Sequence, residues 1–156
     1  MMELITWLEQ MQKCYQQRNI HTISDLVSLI HSPPESLWRP QHSHAQVKAI
    51  EIWLDGCMKI FQYFQDLDHE KLAYQYIELA YARIQSVTAN PHSSLELRYW
   101  GANKLDRLTI LMLECCQTQS DCQQASDQVI ELHVAFMSQL GEINMHQPDQ
   151  SKNSER

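Results

Sequence analysis

The sequence predicts an all-α fold, a compact bundle of five to six helices in a single domain with a short disordered C-terminal tail. Apolar residues recur with the helical period along nearly the whole chain. Three glycines and five prolines among 156 residues are too few for the turns of a β-sandwich or barrel. Several apolar faces also follow a Ser or Thr that precedes Asp, Glu or Gln by three residues, the spacing of a capping box.

Six apolar faces each predict one helix, in chain order. They run from Leu4 to Tyr15, from Ile23 to Ile30, from Ile50 to Phe64, from Leu72 to Ile84, from Leu97 to Cys115 and from Val129 to Ile143. The fifth helix is apolar on almost every side of its second half, so we expect it to be central in the bundle, with a dimer seam as the alternative. Gly101 in this helix predicts a close approach of another backbone.

Capping boxes predict where the helices begin, because each side chain of the pair satisfies the free backbone N–H of the other residue. The matching pairs are Thr22–Asp25, Ser32–Glu35, Ser43–Gln46, Ser93–Glu96 and Ser120–Gln123. Asp68 is predicted to cap the fourth helix alone.

Residues 32–46 (SPPESLWRPQHSHAQ) contain three of the five prolines and predict an elbow between two helices. The capping box at Ser32 with Pro33 behind it predicts a short turn from Pro33 to Trp38, which Pro40 ends. A helix-turn-helix is the alternative. Proline interrupts its recognition helix and Arg39 is the single basic residue there, so a helical hairpin is favoured.

Composition restricts the compartment and the class of partner. No signal peptide or bilayer-spanning stretch is visible, and five cysteines without a framework spacing favour reduced thiols in the cytoplasm. The formal net charge is −7, and no Lys or Arg occurs between Arg107 and Lys152. Such a segment repels phosphate backbones, so we expect no nucleic-acid partner. The helical domain is predicted over residues 1–145 and a polar flexible tail over residues 146–156.

Metal, cofactor and catalytic motifs are weak in this sequence. His42, His44 and Cys122 are the candidate metal ligands, but they do not form the close pairs that structural zinc sites use. No Gly-rich phosphate loop, nucleophile elbow or di-iron motif is present, so we predict no cofactor and no catalytic residue.

These observations favour a non-catalytic cytoplasmic protein that acts through a protein partner, as a regulator, an adaptor or a dedicated chaperone. Tyr74 and Tyr81 share one helix face and suit a binding groove. Asp127 and Glu131 suit an acidic surface that steers a basic partner. A homodimer is also possible. The alternative is a small-molecule-binding protein or an enzyme with an inter-helix pocket that uses His and Cys side chains.

The sixth helix is expected to pack on the fifth through one face. Its predicted contact residues follow the helical spacing and are Val129, Leu132, Phe136 and Leu140.

Overall fold

The computed structural model is all-α and describes residues 3–16, 20–40, 43–117 and 123–145. Within these ranges the chain forms six α-helices and no strand, so the predicted fold class is confirmed. The helices are α1 (Leu4–Gln16), α2 (Ile20–His31), α3 (Ser43–Asp66), α4 (Glu70–Ala89), α5 (Leu95–Gln117) and α6 (Gln123–Met145). A 3₁₀ helix, Glu35–Leu37, lies between α2 and α3.

The chain divides into two compact units, Met1–Leu108 and Thr109–Arg156, and the division falls within α5. Residues 146–156 lie outside the described part of the chain. The predicted extent of the helical domain, residues 1–145, therefore stays a prediction.

Helix α3 is the centre of the first unit, since it contacts α1, α2, the 3₁₀ helix and α4. Its inward face includes Ile50, Trp53, Cys57 and Ile60, each at most 1% exposed. The fifth helix was expected to be central in the bundle, but Ile110 of α5 is 56% exposed, so the second half of α5 is not buried on every side.

Two tryptophans hold the C-terminal end of α2. The indole Nε1 of Trp7, from α1, donates to Leu29 O at 3.0 Å. The indole Nε1 of Trp53, from α3, donates to Ile30 O at 3.1 Å. Both indole rings are buried, at 0% and 1% exposed. Helices α1, α2 and α3 are thus joined by polar contacts as well as by apolar packing.

The elbow between α2 and α3 is a single 3₁₀ turn. Pro34, in extended conformation, precedes it without a side-chain cap, so the predicted capping box at Ser32 is wrong. Gln46 instead reaches back from α3, and its Nε2 donates to Leu37 O at 3.4 Å. The ring of Trp38 packs edge-on against Trp53 with ring centroids 4.9 Å apart. The described elbow holds no second helix of a helix-turn-helix.

The turn between α3 and α4 gives Asp68 a different role from the predicted one. Asp68 adopts a positive φ of 60°, and His69 is the N-cap of α4 with no side-chain cap bond. His69 N donates to Phe64 O at 2.9 Å, and Asp68 N donates to Gln65 O at 3.0 Å. These two bonds form a Schellman motif, so Asp68 ends α3 rather than capping α4.

The turn between α4 and α5 shifts the predicted cap by one residue. Leu97 N donates to Ser94 Oγ at 3.1 Å, so Ser94 caps α5. Ser93 Oγ donates to Val87 O at 2.6 Å and closes the end of α4. Arg98 is 1% exposed, and its Nη2 donates to Asn90 O at 3.0 Å. The partial negative charge at the α4 terminus favours this buried guanidinium.

Of the three remaining predicted helix starts, one is wrong and two depend on side chains outside the described residues. Helix α2 begins at Ile20, which places Thr22 inside the helix, so its capping box is wrong. Ser43 is the first residue of α3. Its side chain, like Ser120, lies outside the described residues.

Tyr76 is buried and links α2 to α4. Its hydroxyl lies 2.9 Å from His31 Nε2, and its ring stacks on Phe64 with centroids 5.9 Å apart. Burial, and then the proximity of Cys57, raises the pKa of the Tyr76 hydroxyl. The hydroxyl therefore stays protonated and available as a hydrogen-bond donor.

Gly101 allows α5 to approach α4. A Cβ built on Gly101 would overlap the Oγ1 of Thr88. Thr88 is 0% exposed, and its Oγ1 has no hydrogen-bond partner among the described residues. A group does approach Gly101 closely, but it is the side chain of Thr88 and not the backbone that was predicted.

We predict that Trp7→Phe and Trp53→Phe each destabilise the protein by about 2–4 kcal/mol. Each variant leaves a buried carbonyl without its donor and opens a small cavity. Urea unfolding measures the effect. Trp100→Phe is the matched control, because Trp100 is half-buried and its described contact is the Lys104 amine over its ring. Equal losses in all three variants would show that ring volume alone accounts for the effect.

We further predict that Gly101→Ala destabilises the protein by about 1–3 kcal/mol, because the new methyl group overlaps Thr88. Adding Thr88→Ala should recover part of this loss, since it removes the overlapping hydroxyl. Thermal unfolding of the single and double variants measures the coupling. Strictly additive effects would contradict the steric explanation.

Candidate functional site

Helix α6 exposes an unusual amount of aliphatic surface. Ile130 is 44% exposed, Leu132 63% and Val134 57%. Single exposed aliphatic residues are ordinary on protein surfaces, whereas a contiguous group of them makes a candidate interaction surface. The prediction that Leu132 packs on the fifth helix is wrong. Val129 and Phe136 are half-buried and Leu140 is buried, so the inward face of α6 leaves Leu132 aside.

Four residues of α6 lie along one line, and we call them the α6 stripe: Ile130, Val134, Met137 and Gly141. At 100° per residue they fall within about 60° of the helix circumference and extend over about 16 Å. Their spacing of four, three and four residues is that of a coiled-coil seam. Met137 is half-buried, and Gly141 is exposed.

Gly141 differs from the other two glycines in its surroundings. No described atom lies within 4 Å of a Cβ built on Gly141, whereas a Cβ on Gly56 or Gly101 would collide with Ile30 or Thr88. A glycine inside a helix costs about 1 kcal/mol relative to alanine. The described fold therefore gives no steric reason for a glycine at this point of the stripe.

Two acidic residues lie beside the α6 stripe. Asp127 and Glu131 are both exposed and lie about 50° and 90° from the centre of the stripe. They are one helical turn apart, a spacing at which like charges repel by a few tenths of a kcal/mol. No Lys or Arg occurs in the sequence from residue 108 to residue 151. The surface thus combines an apolar line with a flank of negative charge.

Asp127 and Glu131 were predicted from the sequence, whereas the stripe beside them was not. One apolar face had been predicted for α6, from Val129, Leu132, Phe136 and Leu140. A second apolar series through the same helix was visible in the spacing from residue 130 to residue 141. A glycine at the end of that series was the additional signal.

Tyr74 and Tyr81 lie on α4 in the first unit, away in sequence from the acidic pair. Both are half-buried, and each takes part in an interaction within the chain. Their predicted role in a partner groove stays a prediction.

A cleft of about 340 Å³ opens between α1 and α2 in the first unit. Helix α1 contributes Gln10, Lys13 and Cys14, and α2 and the residue after it contribute Asp25, Ser28, Leu29 and Ser32. This is an inter-helix pocket with a cysteine, and no histidine is among the described residues that line it. Burial, and then the negative charge of Asp25, raises the pKa of the Cys14 thiol. A neutral thiol is a poor nucleophile and a poor metal ligand.

Of the three candidate metal ligands, only His44 belongs to the described residues. His42 and Cys122 lie outside the described residues. His44 is exposed, and its Nδ1 lies 3.3 Å from Glu96 Oε1. Across the described ranges, no group of three His, Cys, Asp or Glu side chains is arranged to hold a metal ion.

Comparison with known proteins adds no relative: no family model, curated protein or solved structure matches this chain. Among the described residues, no helix has both the length and the apolar character needed to cross a bilayer.

We predict that Cys14 reacts slowly with iodoacetamide at pH 8, because its raised pKa keeps the thiolate fraction low. Asp25→Asn should speed this reaction by about two- to fivefold, since it removes the neighbouring charge that disfavours the thiolate. Asp25→Glu is the charge-preserving control. Mass spectrometry of the peptide that contains Cys14 measures the rate. If Cys14 of the native chain were alkylated faster than a free model thiol, the prediction would be wrong and Cys14 would be a candidate nucleophile.

Proposed function

We propose that this chain is a non-catalytic binding protein that acts through a protein partner, as a regulator, an adaptor or a dedicated chaperone. The observation that carries the proposal is the exposed α6 stripe. Ile130 and Val134 leave 44% and 57% of their surface in water, side by side on one helix. Burial of this surface against a partner would recover about 25 cal/mol for each Å² removed from water.

The acidic flank supports a protein partner with a basic surface. Asp127 and Glu131 are exposed beside the stripe, and complementary charge raises the rate at which two proteins meet. The same negative charge disfavours nucleic acid, because phosphate backbones are repelled. We place the protein in the cytoplasm, where its free thiols at Cys14, Cys57 and Cys116 remain reduced.

The alternative, a small-molecule-binding protein or an enzyme with His and Cys in an inter-helix pocket, has less support. The described residues that line the α1–α2 cleft include Cys14 but no histidine. The raised pKa of the thiol lowers its reactivity further. A purely structural role for the cleft explains these properties without a ligand.

We predict that a photo-crosslinking phenylalanine analogue at position 130 or 134 captures one discrete protein in cells of the source organism. The same analogue at position 128 or 135 should not capture that protein. Gln128 and Ala135 are exposed on the same helix but lie about 130–150° from the centre of the stripe. Products are separated by denaturing electrophoresis and identified by mass spectrometry. The same products from all four positions, or none from 130 and 134, would contradict the proposal.

A further inference from the structure

We propose that the α6 stripe docks an amphipathic helix whose apolar seam is flanked by Lys or Arg. This inference rests on the proposed function and names the chemical class of the partner. Three features of the described structure carry it: the spacing of the stripe, the open position of Gly141 and the sign of the charge beside the stripe.

The spacing fits a helix as the docked element. Ile130, Val134, Met137 and Gly141 alternate steps of four and three residues, which keeps one line of side chains facing a partner helix. The stripe extends over about 16 Å, or roughly three turns. An amphipathic helix that binds a groove presents anchors with this same periodicity.

Gly141 indicates how closely the partner approaches. It lies on the stripe, it is exposed, and no described atom lies within 4 Å of a Cβ built there. Glycine leaves room for another group to come close, as Gly101 does for the side chain of Thr88 inside the first unit. At Gly141 no described atom fills this space, which leaves room for the backbone of a docked helix.

The charge beside the stripe selects the partner. A helix docked on the stripe would lie next to the exposed acids Asp127 and Glu131. A second copy of α6 would bring more acids and no Lys or Arg from residues 108–151 to the same place. Like charges across an interface disfavour that arrangement, whereas Lys or Arg beside the apolar seam, on the side that faces these acids, complement them.

The experiment measures binding of designed peptides to the full chain by fluorescence anisotropy. The probe is a 21-residue helical peptide with Leu and Ile along one heptad seam and Lys at the flanking positions. A second peptide has Glu in place of each Lys. A third has the same composition as the probe with the seam scrambled. The probe should bind at least tenfold more tightly than either control, which corresponds to about 1.4 kcal/mol.

Matched variants of the protein separate the contributions of the apolar seam, the acidic residues and Gly141 to binding of the probe. Val134→Asn should weaken probe binding about tenfold, while Leu132→Asn, about 170° away on α6, should change it less than twofold. Asp127→Asn with Glu131→Gln should weaken binding about fivefold at low salt. Gln128→Lys with Gln139→Lys adds the same charge on the far side of the helix and is the control.

Gly141→Ala gives the sharpest single outcome. The variant should raise the melting temperature by about 2–4 °C, because alanine favours the helix, and yet weaken probe binding severalfold. A variant that is more stable but binds less well cannot owe its loss to misfolding.

Several outcomes would overturn the inference. Equal binding of the scrambled peptide would reduce the interaction to charge alone. Unchanged binding in Val134→Asn and Gly141→Ala would remove the stripe from the interface. A reversible dimer in sedimentation that Val134→Asn dissolves would make a second copy the occupant. If photo-crosslinks from positions 130 and 134 persist in these cases, the proposed function stands and the basic-helix partner class falls.

Discussion

The first unit depends on two backbone carbonyls at the end of α2. Leu29 O and Ile30 O would pair with the N–H groups of residues 33 and 34 in a continuing helix, but both of those residues are prolines. The indole N–H groups of Trp7 and Trp53 donate to these carbonyls instead. The double proline therefore ends α2 and at the same time creates the two acceptors that fix α1 and α3 around it.

The sequence was sufficient for the helical content, because periodicity along a whole helix averages over many residues. It was less reliable at helix ends, where a single neighbour decides. Ser94 rather than Ser93 caps α5, because the hydroxyl of Ser93 already donates a hydrogen bond to Val87 O at the end of α4. Asp68 ends α3 through a positive φ, a conformation that the residue type permits but does not require. Such choices depend on contacts between elements, which propensity does not include.

Only part of the candidate site was predictable from the sequence, because the rest also depends on contacts between elements. Asp127 and Glu131 follow from charge, which is readable in the sequence, and both are exposed. The stripe beside them was missed because α6 is apolar on more than one side. Its buried face cannot be chosen from spacing alone, since Leu132 fits the buried series and is 63% exposed. The choice needs the packing of the folded chain.

The two parts of the chain differ in whether energetically unfavourable features are compensated by neighbouring groups. In the first unit the cost of a helical glycine at Gly101 is offset by the approach of Thr88, and the free carbonyls of α2 are satisfied by tryptophans. In α6 the exposed Ile130 and Val134 and the open Gly141 have no such compensation among the described contacts. A docked helix would compensate all three at once, because it would bury the aliphatic side chains and occupy the space above the glycine. For this reason we propose a binding role for α6 rather than for the α1–α2 cleft.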